Sequence, residues 1–372
     1  MSRFLIDSYQ GLAAYTPGEQ PQDMEYIKLN TNESPYPPAP SVLEAVSREE
    51  VAKLRLYPDP EGAALKKKLA DAYGVKKENV YLSNGSDDIL NFAFLAFAGR
   101  SASDRKVYFP QISYGFYQVY ADLYQLEGVQ VPMQEDFSID YRDYCSVDGM
   151  VVIANPNAPT GLTLSLDQIR EILESNPERV VLIDEAYVDF GATSAVPLTA
   201  TYENLLVVQT FSKSRSMAGG RLGFAIADAG LIKDLERIKY STNPYNINRL
   251  SLVAADATLD AADYYEENCR RIMDTRSYTA EALQNLGFTV LPSLTNFLFA
   301  KSDRISGEQL YQGLKRRGVL IRHFSSEKIK DYNRITIGTR EQMDVMLEAI
   351  RQLLAEEACG DNEAGKEKKP HA

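Results

Sequence analysis

Short runs of Val, Ile and Leu that end in polar or turn-forming residues constrain this chain more than any other feature. They are VYLSNGSDD at 80–88, VVIANPNAPTG at 151–161, VVLIDEAYVDF at 180–190 and LLVVQTFSK at 205–213. Their apolar parts are continuous, as expected of strands covered by helices on both faces. Between them lie stretches with helical spacing, such as LDQIREILESNPE at 166–178. This alternation predicts an α/β domain with a mostly parallel central sheet sandwiched by helices. Ligands bind outside the carboxyl ends of such strands. Ser83 to Asp87, Asn155 to Thr160, Asp184 to Tyr187 and Ser212 to Lys213 all fall at those ends, so their polar groups should converge on one edge.

Beyond about residue 260 the pattern changes. AADYYEENCRRIMDTRSYTAEALQNLG reads as a long polar helix, followed by short strands around FTVLPSLTNFLFA and NRITIGT and a last helix EQMDVMLEAIRQLLAEE. We expect a large domain over 41–259 and a smaller α+β domain built from 1–40 and 260–358. The end, CGDNEAGKEKKPHA at 359–372, has the composition of a disordered tail.

The stretch TFSKSRSMAGGRLGF at 210–224 sets Lys213 and Arg221 beside the end of an apolar run. A lone lysine there reads as a solvated surface residue. Its amine could also form a Schiff base with an aldehyde, and pyridoxal phosphate is the usual metabolic partner. That cofactor needs an acid for its ring nitrogen, donors for its phenolic oxygen, and amides with a cation for its phosphate. Asp184 suits the first need, or is simply a strand-end acid. Tyr187 and Asn157 suit the second, or are turn residues. Gly85, Ser86 and Asp87 precede the apolar stretch ILNFAFLAFA and offer either an ordinary N-cap or the anion site of a helix N-terminus. Arg221 can add a charge-assisted bond, with the Ser212 and Thr210 hydroxyls alongside. Gly219, Gly220 and Gly223 would let the backbone approach closely.

Charge and composition exclude other classes. A formal net charge of −12 provides no extended basic face for nucleic acid. No stretch approaches the apolar length of a membrane span, and MSRFLIDSYQGLAAY has no secretory pattern, so we expect a cytoplasmic protein. Cys145, Cys269 and Cys359 form no disulfide or zinc pattern. With only His323 and His371, no metal site is expected; His323 beside Arg322 could approach a substrate, or end a strand at the surface. A nicotinamide-dependent oxidoreductase lacks its G-x-G-x-x-G, since AGGRLG has the wrong glycine spacing. A noncatalytic ligand sensor would need an added DNA-binding domain.

As an ordered set, LNTNESPYPP, YPDP, NPNAPTG, VLIDEAYVDF, TFSKSRSMAGGRLGF and NRITIGTR resemble the fold-type I pyridoxal-phosphate aminotransferases, and within them the histidinol-phosphate aminotransferase family. The resemblance spans about Tyr15 to Leu354. It implies a cofactor-bonding role for Lys213, a pyridinium partner in Asp184 and phenolic-oxygen donors in Asn157 and Tyr187. It also implies that Tyr114 of QISYGFY stacks on the ring. Tyr57 of LYPDP would reach the cofactor phosphate of the other subunit, hence a homodimer. The family often has Arg directly before that tyrosine, where this chain has Leu56 after Arg55, and Gly220 replaces a larger apolar residue.

On the substrate side the resemblance places Arg334 and Arg322 at a carboxylate or phosphate. Tyr15, Asn32, Glu33, Tyr245 and Asn248 would line the entrance. The implied reaction is ping-pong transfer of the amino group of L-histidinol phosphate to 2-oxoglutarate, with Lys213 as covalent anchor and proton carrier. An aromatic amino acid aminotransferase and a threonine-phosphate decarboxylase would reuse the same cofactor residues.

Overall fold

A computed structural model describes residues 3–99 and 105–364. Its main sheet has seven strands: β1 (Val80–Ser83), β2 (Lys106–Pro110), β3 (Glu127–Val131), β4 (Met150–Ala154), β5 (Val181–Asp184), β6 (Leu205–Thr210) and β7 (Gly223–Ala227). The spatial order is β1-β7-β6-β5-β4-β2-β3, and only β7 runs antiparallel to its neighbours. β1, β4, β5, β6 and β7 are buried at every position, which explains their unbroken apolar runs. One face packs Ile153, Ile183 and Val207 against the Leu166–Ser175 helix. The other packs Val152, Leu182 and Val208 against the Gly85–Phe97 and Phe116–Leu123 helices. The Leu166–Ser175 helix starts with a Ser165/Gln168 capping box, a local signal that fixes where the chain leaves β4 and turns back.

A second, antiparallel sheet orders β10-β11-β9-β8, with β8 (Phe288–Val290), β9 (Phe297–Ser302), β10 (Arg322–His323) and β11 (Tyr332–Thr336). It has its own core with the Ala262–Asn285 and Arg340–Ala364 helices, centred on Leu283, Phe297, Ile335 and Ile350. Ile27–Lys28 pairs in parallel with Val319–Leu320, tying the N-terminal segment to this second core. The last helix continues to Ala364, past the point where the composition suggested a tail. Residues 365–372 of that expected tail lie outside the described residues.

Candidate active site

The ends of β1, β4, β5 and β6 meet at one cavity of about 460 Å³, in the usual range for small-molecule sites. Ser86, Asp87, Tyr114, Asp184, Tyr187, Thr210, Ser212, Lys213 and Arg221 all line it. The sequence had separated these residues by more than a hundred positions.

At the buried end, Asp184 is 5% exposed. Its Oδ2 accepts from the Tyr117 hydroxyl at 2.8 Å and its Oδ1 from the Ala186 amide at 3.2 Å. No cation pairs with it among the described residues, and burial pushes its carboxyl up to about 6 against the lowering effect of those hydrogen bonds. An ionised carboxylate here is under-compensated, which suits a cationic heterocycle in the cavity.

Lys213 Nζ donates to the Thr31 carbonyl at 3.1 Å and lies 5.7 Å from the Tyr187 ring centre. Tyr187 is held by an edge contact to Phe297, and its hydroxyl accepts from Asn32 Nδ2 at 2.9 Å. Tyr114 donates to Asp87 Oδ1 at 2.8 Å, and its ring stands across Tyr117 at 87°.

At the other end, the 13-residue Gly85–Phe97 helix begins at Gly85 itself, and Asn84 provides no side-chain cap. Among the described residues its first amides therefore have no side-chain acceptor, which favours an anion. Arg221 Nη2 pairs with Asp87 Oδ2 at 3.0 Å, and Nη1 lies 3.4 Å from Ser212 Oγ. A Cβ on Gly85 would sit 2.6 Å from Arg221 Nη2, and one on Gly223 would sit 2.5 Å from the Ser86 amide nitrogen. These two glycines make the cradle possible. Gly219 also lines the cavity, and a Cβ there meets no protein atom within 4 Å; one at Gly220 would come within 2.9 Å of the Met217 side chain.

Asn157 is fully buried and does not line the cavity; its amide nitrogen donates to Ile112 O and Thr160 Oγ1, and its oxygen accepts from Ser113. It holds the NPNAPTG turn in this conformation. Asn32 is likewise buried, at φ +57°, a conformation asparagine tolerates, and it bridges Tyr187 to Thr336 Oγ1. Asn248 caps the Arg249–Leu259 helix through Ser251. Glu33 lines the cavity and takes bonds from Lys28 at 2.5 Å and Thr31 at 2.6 Å. Burial opposes its ionisation, yet these bonds hold its carboxyl below the usual range. His323 ends the Arg322–His323 strand, faces Glu308 at 3.1 Å and stacks on Tyr311.

Tyr57 is 78% exposed, stacks on Tyr245 at 4.5 Å and stands outside its own chain's cavity lining. Tyr117 was missed from the sequence. The signal was present in the helical spacing of Tyr114, Tyr117 and Tyr120, whose hydroxyls go to Asp87 Oδ1, Asp184 Oδ2 and the Asp87 carbonyl.

Arg322 and Arg334 are directly opposite each other on β10 and β11. Arg334 is half-buried, donates to Asn30 O at 2.9 Å and leaves its buried Nε without a partner among the described residues. Arg322 reaches only the carbonyls of Thr16 and Pro17, both at 3.4 Å. Like charges in register repel, and neither arginine has a carboxylate partner among the described residues, so the pair is arranged for an anion. Arg322 thus bonds the residues next to Tyr15, whose ring meets Tyr114 of the cavity lining edge-on at 6.2 Å, and this links the arginine pair to the cavity. We expect Arg334→Met to raise KM for a phosphorylated substrate by about 10- to 100-fold, the loss of one charge-assisted bond. Thermal stability should hold or rise, because a half-buried charge without a carboxylate partner among the described residues is removed. Steady-state kinetics beside melting curves check both; an unchanged KM would remove Arg334 from recognition.

A mostly parallel sheet with a lysine, a buried acid and a helix N-terminus around one cavity defines a fold-type I pyridoxal-phosphate transferase, and the groups present fit that cofactor. The chain matches the family model "Aminotransferase class I and II" over residues 24–350. It is 50% identical to the histidinol-phosphate aminotransferase of Brachyspira hyodysenteriae over 95% of this chain and 99% of the relative. It is also 50% identical to that of a Marinomonas species, over 95% and 100%. The solved histidinol-phosphate aminotransferase of Clostridium acetobutylicum superposes with a TM-score of 0.80 at 26% identity, covering 88% of this chain and 99% of that one. That of Sinorhizobium meliloti, solved with pyridoxal-5'-phosphate, gives 0.81 at 23% over 89% and 92%. This chain belongs to the histidinol-phosphate aminotransferase family of class I and II aminotransferases.

Proposed function

We propose that this chain is a pyridoxal-phosphate aminotransferase that converts L-histidinol phosphate and 2-oxoglutarate to imidazole acetol phosphate and glutamate, a step of histidine biosynthesis. The observation that carries the reading is the meeting of Lys213, the buried Asp184 and the Ser86–Arg221 cradle on one cavity, in a chain half identical to enzymes of that name. When bound, the cofactor supplies an electron sink for the substrate α-carbon.

The protein's own groups do the rest. Ser86, Thr210, Ser212 and Arg221 would hold the phosphate, and Asp184 would keep the ring nitrogen charged. Tyr187 would donate to the phenolic oxygen, held in place by Asn32. Asn157 would join it there only after giving up one of its turn bonds. Tyr114 would cover the ring from the Asp87 side. Lys213 Nζ would hold the cofactor and, once free, carry the proton to and from the substrate α-carbon. Arg322 and Arg334 would bind the substrate phosphate or the carboxylate of glutamate, with Tyr15 beside them. Glu33 and Tyr245 would border the imidazole side.

A homodimer is part of this reading. Tyr57, with exposed Leu43, Leu54 and Leu56 on the same N-terminal part of the chain, would be covered by a second copy and reach its phosphate site. Sedimentation at the mass of a single chain would contradict it. A cytoplasmic site of action fits the unpatterned cysteines. Among the described residues no helix is long and apolar enough to cross a membrane.

A donor panel on purified protein tests the function. Histidinol phosphate with 2-oxoglutarate should change the visible absorbance of the bound cofactor and yield glutamate. Carbon dioxide release from threonine phosphate without glutamate, or a preference for aromatic amino acids, would replace this reading.

A further inference from the structure

We propose that Tyr117 is a positioning residue that holds Asp184 Oδ2 from behind and keeps that carboxylate ionised and directed at the cavity. The inference rests on the reading that pyridoxal phosphate occupies the site. Tyr117 is fully buried, and among the described residues its hydroxyl has a single partner, Asp184 Oδ2 at 2.8 Å. The ring is held by Phe94 at 6.3 Å, Phe109 at 5.9 Å and Tyr114 at 5.7 Å, which keeps its oxygen beside Asp184.

The two Asp184 oxygens thus each receive one donor from the protein, Tyr117 on one and the Ala186 amide on the other. The remaining lone pairs are left for the cavity, which Asp184 lines. Burial pushes the tyrosine hydroxyl far above its usual range, so it remains a donor. The other charged groups that face Asp184 act in opposite directions: Asp87, from the Gly85–Phe97 helix, disfavours its ionisation, and Lys213, from the loop after β6, favours it. Tyr114 stands edge-on to the Tyr117 ring at 87° and donates its own hydroxyl to Asp87, so it does not compete for Asp184. A hydrogen bond to a buried carboxylate stabilises its charged form. Without the Tyr117 hydroxyl, the acid that should pair with the ring nitrogen would take up a proton at higher pH.

The experiment titrates cofactor-free protein with pyridoxal phosphate from pH 5 to 9. It compares wild type, Tyr117→Phe, Asp184→Asn and the double variant by visible absorbance and fluorescence quenching. In Tyr117→Phe, the acid-side midpoint of the affinity profile should move up by about one to two pH units, and affinity should approach wild type at the alkaline end. In the Asp184→Asn background the same change should do nothing, because its route is gone. A loss of affinity by one constant factor at every pH, or an unmoved midpoint, would overturn the proposal, as would an equal effect in both backgrounds. Should Tyr117→Phe fail to fold, carbon-13 labelled aspartate spectra of the wild type settle the point, since Asp184 must then titrate without coupling to the Tyr117 hydroxyl for the idea to fail. Wild type that binds no pyridoxal phosphate at any pH would instead remove the functional reading beneath it.

Discussion

Lys213→Ala is expected to lower turnover by about 10⁴-fold or more, since one substitution removes both the covalent anchor and the proton carrier. Stability should change little. The amine makes one hydrogen bond, to Thr31 O at 3.1 Å, and such a bond contributes about 1 kcal/mol. Binding of the cofactor should persist through Ser86, Arg221 and Asp184, but its visible band should move to that of the unattached aldehyde. Rapid-quench turnover, absorbance spectra and denaturant melts together separate chemistry from folding. Turnover within tenfold of wild type would remove Lys213 from the reaction.

The second large effect has opposite signs on function and stability. A carboxylate about 4 Å from a pyridinium gains roughly 4 kcal/mol at an effective dielectric of about 20. Asp184→Asn should therefore weaken pyridoxal phosphate binding by about 10³-fold at neutral pH. The cofactor-free protein should behave otherwise. The folded carboxyl is pushed up to about 6 from 3.8, so the folded state binds more protons than the unfolded state between those values. Stability from this group is then fully present below about pH 4 and is lost as pH rises through about 6. Asp184→Asn should remove that slope and add up to about 3 kcal/mol at pH 7, provided the Tyr117 hydroxyl turns to accept from the new amide. Glu185, buried and pushed up to about 7, contributes a slope of the same sign and should be unaffected. Melts of the cofactor-free forms at pH 4 and pH 7 read the difference; equal stability changes at both would show that Asp184 is not the titrating group.

Such a trade is the expected mark of a binding site. On the proposed reading, an acid that destabilises the empty protein would be kept there for the charge it offers the bound ring.

Much of the fold was legible because burial on both faces leaves a one-dimensional trace. β1, β4, β5 and β6 were readable as continuous apolar runs. β3, EGVQV at the sheet edge, was not, since only Val131 is buried there. β7 was hidden for another reason: GFAIA follows the glycines of a ligand loop and reads as that loop's continuation.

The cofactor side of the site was legible as residue types at strand ends, because lysine, acid and glycine-bounded cations are rare there. The direction in which each side chain spends its hydrogen bonds was not. Asn157 and Asn248 have suitable chemistry at suitable positions, yet their amides are committed to a turn and a helix cap. Tyr57 shows the converse, with its hydroxyl uncommitted among the described residues and most of its surface in water.

What the chain determined by itself was the sheet, its ligand-bearing edge and the residues offered there, since periodicity and turn chemistry are local properties. Tertiary structure decided what no local pattern encodes: that a tyrosine from the Phe116–Leu123 helix would stand behind Asp184, and that Arg322 and Arg334 would pair in register with no carboxylate between them among the described residues. Those juxtapositions depend on how separate elements pack. Packing follows from the sum of many weak contacts across the whole molecule.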